Sequence, residues 1–453
     1  MARIHELLRY LRESLWFVPA LFAVGSLALA GALLALDQSI EDAETRLPII
    51  FGGGVEGARE VLSTIATSML TFTGLVFTIT MLVLQAASNQ LSPRVLRTFL
   101  RDRGNQVVLG LFVATFLFAL VVLRYARSGA EGGEEFVPGI SIGVAFALLV
   151  ASIGAFIYYI DHMAHAIRAS TVIHNIAAET RTVLEDLFPE PVAQPDEDHD
   201  SDSIAGPSDR HEHGRAPLPE GPPSEVIRAR SSGVVVAIDE GGLLKAAGRP
   251  DDASIEERFV EMVPLIGDYI SEGSVVFRLW GSWEGHELKQ LQSALEMGHE
   301  RTLEKDAAFG IRQLVDIAVR ALSPGINDPT TAVQAIDRIH DILHRLAQRR
   351  IPSPLRRDED ARVRLYLRRP GWEDYVLLSV EEIRLSGEGQ VQVLRRLRQM
   401  LIDVLEVAPP ARREPLEEAL ARVDRSARRS LDDELDRRIA RPTDAQGHGP
   451  MTT

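Results

Sequence analysis

Residues 61–84 have the sequence VLSTIATSMLTFTGLVFTITMLVL, and this uncharged stretch decides the fold of the first part of the chain. A helix needs about 20 apolar residues to cross a hydrocarbon core that is roughly 30 Å thick. Three further stretches contain no Asp, Glu, Lys or Arg and are long enough to cross: Leu15–Leu36, Val107–Leu123 and Val137–Ile160. We therefore predict a membrane α-helical fold with four transmembrane helices in residues 1–188, including a helical extension from Asp161 to Phe188.

The distribution of arginine predicts the orientation of the spans, because short cytoplasmic loops carry an excess of Lys and Arg. The segment before the first span and the loop between the second and third spans are rich in arginine: Arg3, Arg9, Arg12, Arg94, Arg97, Arg101 and Arg103. The other two loops are acidic. Both termini are therefore predicted to be cytoplasmic, and an even number of spans agrees with this.

Polar residues in the second span recur at steps of three, four and seven, which places them on one face of a helix. We call this set the threonine face: Thr64, Thr67, Ser68, Thr71, Gly74, Thr78 and Gln85. One interpretation is a packing face, since small polar residues let helices approach closely in a membrane. The other is the lining of a hydrated path for inorganic ions in a homo-oligomer. The span has no ionisable residue, so a proton-coupled carrier would lack its usual carboxylate.

A second membrane contact is predicted just after this span. Ser92 and Pro93 have the sequence of a helix N-cap followed by a first-turn proline. Arg94, Arg97 and Arg101 then fall on one face, which is typical of a short helix lying on the anionic inner leaflet. An ordinary arginine-rich cytoplasmic loop is the alternative.

The rest of the chain is predicted to form a cytoplasmic α+β domain behind a linker. The predicted parts are a disordered acidic, proline-rich linker (189–224), a small β-sandwich or barrel (225–285), a mainly helical bundle (286–441) and a disordered tail (442–453). The β-rich part contains the predicted strands Val234–Ile238, Phe259–Val263 and Val275–Leu279. A later hairpin is predicted from Val363–Leu367 and Tyr375–Leu378.

In the helical part, His286–Leu322 has apolar residues at helical spacing, with a break expected near Gly298 or Gly310. Asp328 and Pro329 have the sequence of an N-cap and a first helical residue, and they open a further helix. Two more helices are predicted at Val391–Val407 and Pro415–Arg441.

Composition excludes several classes of function. The formal net charge of -15 argues against a nucleic-acid partner, since phosphate binding needs clustered Lys and Arg. The chain has no cysteine, which excludes disulfides, thiolate metal sites and cysteine nucleophiles. His162 and His165 lie one turn apart, but no further residues with ligand spacing lie near them. We predict neither a metal site nor a cofactor.

Motifs in both halves of the chain carry a family resemblance. They are residues 77–80 (FTIT) through 92–94 (SPR), 298–302 (GHERT), 306–311 (DAAFGI), 314–318 (LVDIA) and 323–329 (SPGINDP). In these motifs the sequence resembles domain-of-unknown-function family 2254, which consists of bacterial predicted membrane proteins. The resemblance covers most of the chain apart from the linker and the tail. It implies a location in the bacterial cytoplasmic membrane, and it implies no activity.

Polar side chains are dense among the later motifs: Glu300, Arg301, Asp306, Asp316, Asn327 and Asp328. They form either a network that fixes helix packing, a subunit contact or a ligand-sensing site. Because no Ser-His-Asp order, phosphate loop or metal-binding pair occurs here, we do not expect an enzyme. The predicted function is an ion channel or passive transport protein that its cytoplasmic domain gates. The alternative is a membrane-anchored scaffold or ligand sensor without a conduction path.

Overall fold

The computed structural model describes residues 16–41, 54–90, 102–126, 136–166, 168–189, 191, 218–248, 258–358 and 362–431. The chain divides into two compact units, an N-terminal unit (Met1–Val172) and a C-terminal unit (Ile173–Thr453). The predicted surface helix with Arg94, Arg97 and Arg101 lies outside the described residues. Most of the linker and the whole tail also lie outside them.

The N-terminal unit contains the helices α1 (Phe17–Glu41), α2 (Val55–Gln90), α3 (Arg103–Tyr125) and α4 (Gly139–Ala166). All four are long and apolar enough to cross a membrane, which confirms the four predicted spans. In α3, 50% of the most apolar stretch is buried inside the unit, against 22% or less in each of the other three helices. The third span is therefore the most enclosed, and the other spans expose most of their surface.

Aromatic rings and one close helix contact hold this bundle together. The rings of Phe72 in α2, Phe112 in α3 and Phe156 in α4 lie with centroids 4.9 to 6.4 Å apart. Gly110 of α3 faces Phe22 of α1, and a Cβ at Gly110 would lie only 3.0 Å from the Phe22 ring. Packing of this density leaves no space for an added methyl group without a shift of the ring.

The buried carboxylate of Asp37, near the end of α1, caps the start of α4. It accepts hydrogen bonds from the backbone N–H groups of Ile140 and Ser141, both at 3.0 Å, and from the Ser141 hydroxyl at 2.6 Å. The first N–H groups of a helix have no partner within the helix, and its N-terminal end attracts negative charge. In the sequence, Asp37 is only one of several acidic residues of a loop.

The fourth span does not continue as one helix to Phe188, and the predicted extension is wrong in this respect. Helix α4 ends at Ala166, and a separate helix α5 (Ala169–Leu187) follows. The Arg168 carbonyl accepts hydrogen bonds from the N–H groups of Thr171 (2.9 Å) and Val172 (3.2 Å), as a helix N-cap does. Helix α5 buries the apolar residues along one of its sides, whereas α4 exposes apolar residues along its length. The two helices therefore suit different surroundings, a protein core and lipid.

Two β-sheets form part of the C-terminal unit. Their strands are β1 (Glu225–Arg228), β2 (Gly233–Ile238), β3 (Phe259–Met262), β4 (Tyr269–Ile270), β5 (Val275–Trp280), β6 (Leu295–Gly298), β7 (Leu355–Arg357) and β8 (Val363–Leu367). One sheet has the order β1-β5-β3-β8-β7, with β3 and β8 parallel, and the other has the order β4-β2-β6. Val235, Val260, Phe277 and Leu365 are fully buried in their common core. The predicted α+β class is confirmed, and β6, β7 and β8 come from the stretch predicted to be mainly helical.

The described helices of this unit beyond α5 are α6 (Glu240–Ala247), α7 (Gly285–Ser293), α8 (Ala307–Ala321), α9 (Pro329–Ala347), α10 (Trp372–Ser386), α11 (Val391–Val407) and α12 (Arg413–Ser430). Helix α11 has the same first and last residues as the helix predicted at Val391–Val407, which confirms that prediction. The Asp328 carboxylate accepts a hydrogen bond from the Thr331 N–H at 3.1 Å, which confirms it as the N-cap of α9. Helix α12 begins at Arg413, close to the predicted Pro415, and the predicted end at residue 441 lies outside the described residues.

The predicted hairpin between Val363–Leu367 and Tyr375–Leu378 is wrong. Strand β8 pairs with β7, and Tyr375–Leu378 lies in helix α10. The β-branched and aromatic run favoured a strand locally, but a wider window shows buried residues at helical spacing: Trp372, Tyr375, Val376, Ser379, Val380 and Ile383. The Gly371 N–H donates to the Asp374 carboxylate at 2.8 Å, which secures the start of the helix.

The break in His286–Leu322 falls near Gly298, as predicted, but the residues before it form strand β6 and not helix. Pairing of β6 with β2 overrides the helical spacing of Leu295. Gly310 lies inside α8, where a Cβ would be 2.0 Å from the Thr180 hydroxyl oxygen of α5. This glycine therefore permits close packing of two helices and does not break one.

Candidate functional site

The threonine face lies on the outside of the N-terminal unit. Thr64, Thr67, Thr71, Gly74, Thr78 and Gln85 are exposed, and Ser68 is half-buried. Apolar residues flank this face and are also exposed, among them Leu70, Leu75 and Leu82. The structure thus brings the predicted residues together on one surface, and the described part of the N-terminal unit leaves that surface open.

The opposite face of α2 is apolar and buried. It contains Leu62, Ile65, Ala66, Met69, Val76 and Val83, each at most 5% exposed. Helix α4 differs from α2 in exposing large apolar side chains, as lipid contact requires. Among them are Phe146, Val150 and Ile157. Packing inside the described part of the N-terminal unit therefore does not explain the threonine face, because α2 packs there mainly through its apolar side, with Thr80 hydrogen-bonded to Tyr159 at 2.8 Å.

The hydroxyl groups of the threonine face are hydrogen-bonded to the helix backbone. Thr71 donates to the Thr67 carbonyl at 3.0 Å, and Thr78 donates to the Gly74 carbonyl at 2.9 Å. A hydroxyl group has one donor and two acceptor lone pairs, so each oxygen still has acceptor capacity once its hydrogen is used. Such a face can tolerate a lipid or helix neighbour, and it can also accept hydrogen bonds from water or contact a cation.

Two of the predicted cytoplasmic polar residues form an ion pair at the start of α8. Arg301 Nε donates to the carboxylate of Asp306 at 2.6 Å, and Asp306 accepts from the Phe309 N–H at 3.0 Å as the helix N-cap. Gly267 lies against this pair with a φ of +93°, and a Cβ there would be 2.3 Å from Arg301 Nε. The pair therefore joins the turn before β4 to the first turn of α8.

The other predicted polar residues have different partners. Asp316 lies 3.9 Å from Arg312, which also binds Glu382. Asn327 adopts a φ of 49° in the turn before α9, and its side-chain oxygen accepts from Gln390 at 3.1 Å. Asp328 caps α9, and Glu300 is exposed. The described contacts thus distribute the six residues over several helix ends and faces of the C-terminal unit.

Sequence reasoning missed a partly buried polar cluster between α9 and α11. Arg396 is 6% exposed; it donates to Asp337 at 2.5 Å and lies 2.8 Å from His340 Nδ1. His340 Nε2 is 3.6 Å from the Asp403 carboxylate. The His344 ring lies edge-on to the His340 ring, with the ring centroids 6.2 Å apart. The spacing of His340 and His344 by four residues was the available signal in the sequence.

This cluster predicts a pH-dependent stability. Burial, and then the Arg396 charge, lower the pKa of His340, while Asp403 and Asp337 oppose the shift and His344 reinforces it. The unfolded chain protonates His340 near its usual pKa of about 6.5, and the folded protein does so only at lower pH, so stability is lost as the pH falls below about 6.5. We expect the melting temperature of wild type to fall more between about pH 7.5 and pH 5.5 than that of His340→Gln.

The matched control is His299→Gln, which replaces an exposed histidine outside this cluster and should keep the pH dependence of wild type. Parallel melting curves for wild type and His340→Gln over this pH range would contradict the prediction.

The described histidines of the N-terminal unit each lie beside a single carboxylate. His162 Nε2 lies 2.5 Å from the carboxylate of Asp102, which also caps α3, and His165 Nδ1 lies 3.5 Å from Asp161. Within the ranges that the structure describes, no group of three or more His, Asp or Glu side chains is arranged to hold a metal ion.

Four membrane-crossing helices followed by a unit of small sheets and helices define this chain as a multi-pass membrane protein. The family model described as "Predicted membrane protein (DUF2254)" matches residues 12–403. The chain belongs to this family, as the resemblance of its motifs implied.

Two mycobacterial relatives extend over nearly the whole chain. An uncharacterized protein of Mycobacterium bovis is 32% identical over 444 residues, which cover 96% of this chain and 80% of the relative. An uncharacterized protein of Mycobacterium tuberculosis matches with the same identity and coverage. No solved structure matches the chain.

Proposed function

We propose that the protein is a homo-oligomeric channel or passive transport protein for inorganic ions in the bacterial cytoplasmic membrane. The threonine face of α2 lines the path, and the C-terminal unit lies in the cytoplasm and gates it. The observation that carries this proposal is the exposure of the threonine face on the outside of the protomer. A neighbouring copy beside this face would make it part of the wall of a hydrated path.

The chemistry of the face supports cations as the transported class. The Thr71 and Thr78 hydroxyl hydrogens are used by backbone carbonyls, so their oxygens present lone pairs outward. Oxygen lone pairs can replace part of the water shell of a cation, whereas an anion needs donors. A path without carboxylates supports passive movement and offers no group for proton coupling.

The orientation is supported by the arginines before the first span and between the second and third spans. Lys and Arg in short loops favour the cytoplasmic side, and the acidic first and third loops favour the other side. Both termini and the C-terminal unit are cytoplasmic in this orientation.

The second candidate is a membrane-anchored scaffold or ligand sensor without a conduction path. One observation favours it: the hydroxyl groups of Thr71 and Thr78 are satisfied by their own helix, so the face is tolerable against another helix without any water. In this second candidate, copies of the protein meet through the threonine face by helix packing, and no water path lies between them. We propose no enzymatic activity in either case.

Disulfide cross-linking tests the position of the threonine face, because the native chain has no cysteine. A disulfide forms only where two Cβ atoms approach to about 4.5 Å or less. We expect Thr71→Cys and Thr78→Cys to give cross-linked dimers in membranes under mild oxidation. Ile157→Cys, which replaces a 65% exposed residue of α4, should remain monomeric as the matched control.

Monomeric Thr71→Cys and Thr78→Cys together with cross-linked Ile157→Cys would place another face at the subunit contact and contradict the proposal. Cross-linking establishes which face meets its copy, and the flux measurement in the Discussion separates a path from a packing face.

A further inference from the structure

A cleft of about 340 Å³ opens in the C-terminal unit. It lies where the last residues of β2 and β8 meet the first turns of α6, α8 and α10, which contribute Glu240, Ala307 and Tyr375. The end of α5 closes one side through Leu187 and Phe188. A cleft of this volume is within the range of small-molecule sites.

The inner surface of the cleft is apolar and aromatic. Phe188 and Tyr375 meet edge to face with ring centroids 6.3 Å apart, and both are at most 4% exposed. Ile266, Ile351 and Leu367 also line the cleft. Walls of this kind enclose an apolar or aromatic body of a ligand.

Tyr375 supplies a polar group without a protein partner. Its hydroxyl has no hydrogen bond among the described residues, although the side chain is 4% exposed. Burial raises the pKa of Tyr375 above its usual value, so the hydroxyl stays protonated and remains a donor. Tyr375 lines the cleft, so this donor is available to an acceptor on a bound ligand.

Two of the carboxylates that line the cleft, half-buried Glu240 and buried Asp306, already have partners. Glu240 binds Arg356 at 3.0 Å and also binds Arg369. Asp306 binds Arg301 and caps α8. Neither carboxylate therefore needs a cation from a ligand.

The rim of the cleft combines free cations with exposed carboxylates. Lys305 and Arg368 are exposed and have no carboxylate partner among the described residues. Asp186 and Glu304 are exposed on the same rim, and they oppose the entry of highly charged anions. The N-terminal end of α8 borders the cleft through Ala307 and adds positive potential.

From these features we propose that the cleft binds a small organic acid, with an aromatic or aliphatic body and a single anionic group. The body lies against Phe188, Ile266 and Leu367, and the anionic group meets Lys305 and Arg368 and accepts the Tyr375 hydroxyl hydrogen. This binding site is an addition to the proposed conduction path and does not depend on it.

The test is isothermal titration calorimetry of the full-length protein in lipid nanodiscs, with empty nanodiscs as the blank. The probes are 2-naphthoate and its neutral analogue 2-naphthamide. We expect saturable binding of 2-naphthoate, at least about tenfold tighter than that of the amide, because only the acid has a charge for Lys305 and Arg368. The double variant Lys305→Ala/Arg368→Ala should weaken 2-naphthoate binding by about tenfold or more, and Tyr375→Phe should weaken it by a smaller factor.

The matched control is Arg230→Ala/Lys289→Ala, which removes two exposed cations that do not line the cleft. It should bind 2-naphthoate as wild type does, and every variant is first checked for an unchanged melting temperature. Absence of saturable binding, equal affinity for the amide, or unchanged affinity in the Lys305→Ala/Arg368→Ala variant would each overturn the proposal.

Discussion

Leucine at both Thr71 and Thr78 is expected to lower ion flux through the reconstituted protein by about tenfold or more, which corresponds to at least about 1.4 kcal/mol of barrier. Both residues are exposed on the threonine face, and their oxygens have acceptor capacity directed away from the protomer. Leucine removes these oxygens and makes a narrow path easier to dewet. Flux of monovalent and divalent ions in liposomes and oligomer size should be measured on the same preparation.

The matched control for this experiment is serine at the same two positions. Serine keeps the oxygen and the hydrogen bond to the helix backbone, so Thr71→Ser/Thr78→Ser should retain most of the flux. Loss of the oligomer in the leucine variant would identify a packing face, since a larger side chain separates helices that meet through small residues. Unchanged flux in a correctly assembled leucine variant would remove α2 from the path.

Replacement of Arg412 by methionine is expected to lower the free energy of unfolding by about 1–3 kcal/mol, the usual cost of leaving a buried hydrogen-bonding group without its partner. Arg412 is 1% exposed, and its Nη1 donates to the carbonyls of Leu346, Ala347 and Arg349 at 3.0, 3.1 and 2.8 Å. These carbonyls lie at or just beyond the C-terminal end of α9, where the last carbonyls lack the regular helical donors, although the Leu346 carbonyl also accepts from the Arg349 N–H at 3.1 Å. The guanidinium also lies 5.6 Å from the centre of the Trp372 ring. Methionine fills much of the volume of the arginine side chain but has no N–H group to donate to these carbonyls.

Arg413→Met provides the control, because the neighbouring arginine is exposed. The Arg413→Met substitution should lower the free energy of unfolding by about 0.5 kcal/mol or less, as surface substitutions usually do. Chemical denaturation of the full-length protein in detergent, followed by tryptophan fluorescence, compares the two variants. Equal losses of stability would show that the carbonyl contacts of Arg412 contribute little.

The four spans could be predicted because a membrane restricts the chain so strongly. A lipid-facing segment must satisfy its backbone internally, so an uncharged apolar stretch of sufficient length forms a helix whatever its neighbours are. The start of α9 could be predicted for a related reason, since Asp328 satisfies orphan N–H groups within its own first turn. Both predictions depend on local physics alone.

Where the sequence predictions were wrong, contacts distant in sequence decided the structure. Leu295 became part of a strand because β6 pairs with β2, more than fifty residues earlier. Tyr375–Leu378 joined a helix because Trp372, Val376 and Val380 share a buried side. Arg412 has no sequence signal of burial, and only the end of α9 shows why it is buried.

The sequence by itself determined that α2 has a polar face, because residues at steps of three, four and seven lie on one side of any helix. It determined the four spans, the α+β class of the C-terminal unit and the family. Only the tertiary structure decided that the threonine face lies outside the bundle, because Leu62, Ile65 and Met69 are the residues that pack inward. Helical periodicity states which residues share a face, but the choice of buried face depends on the shapes that the neighbouring helices present.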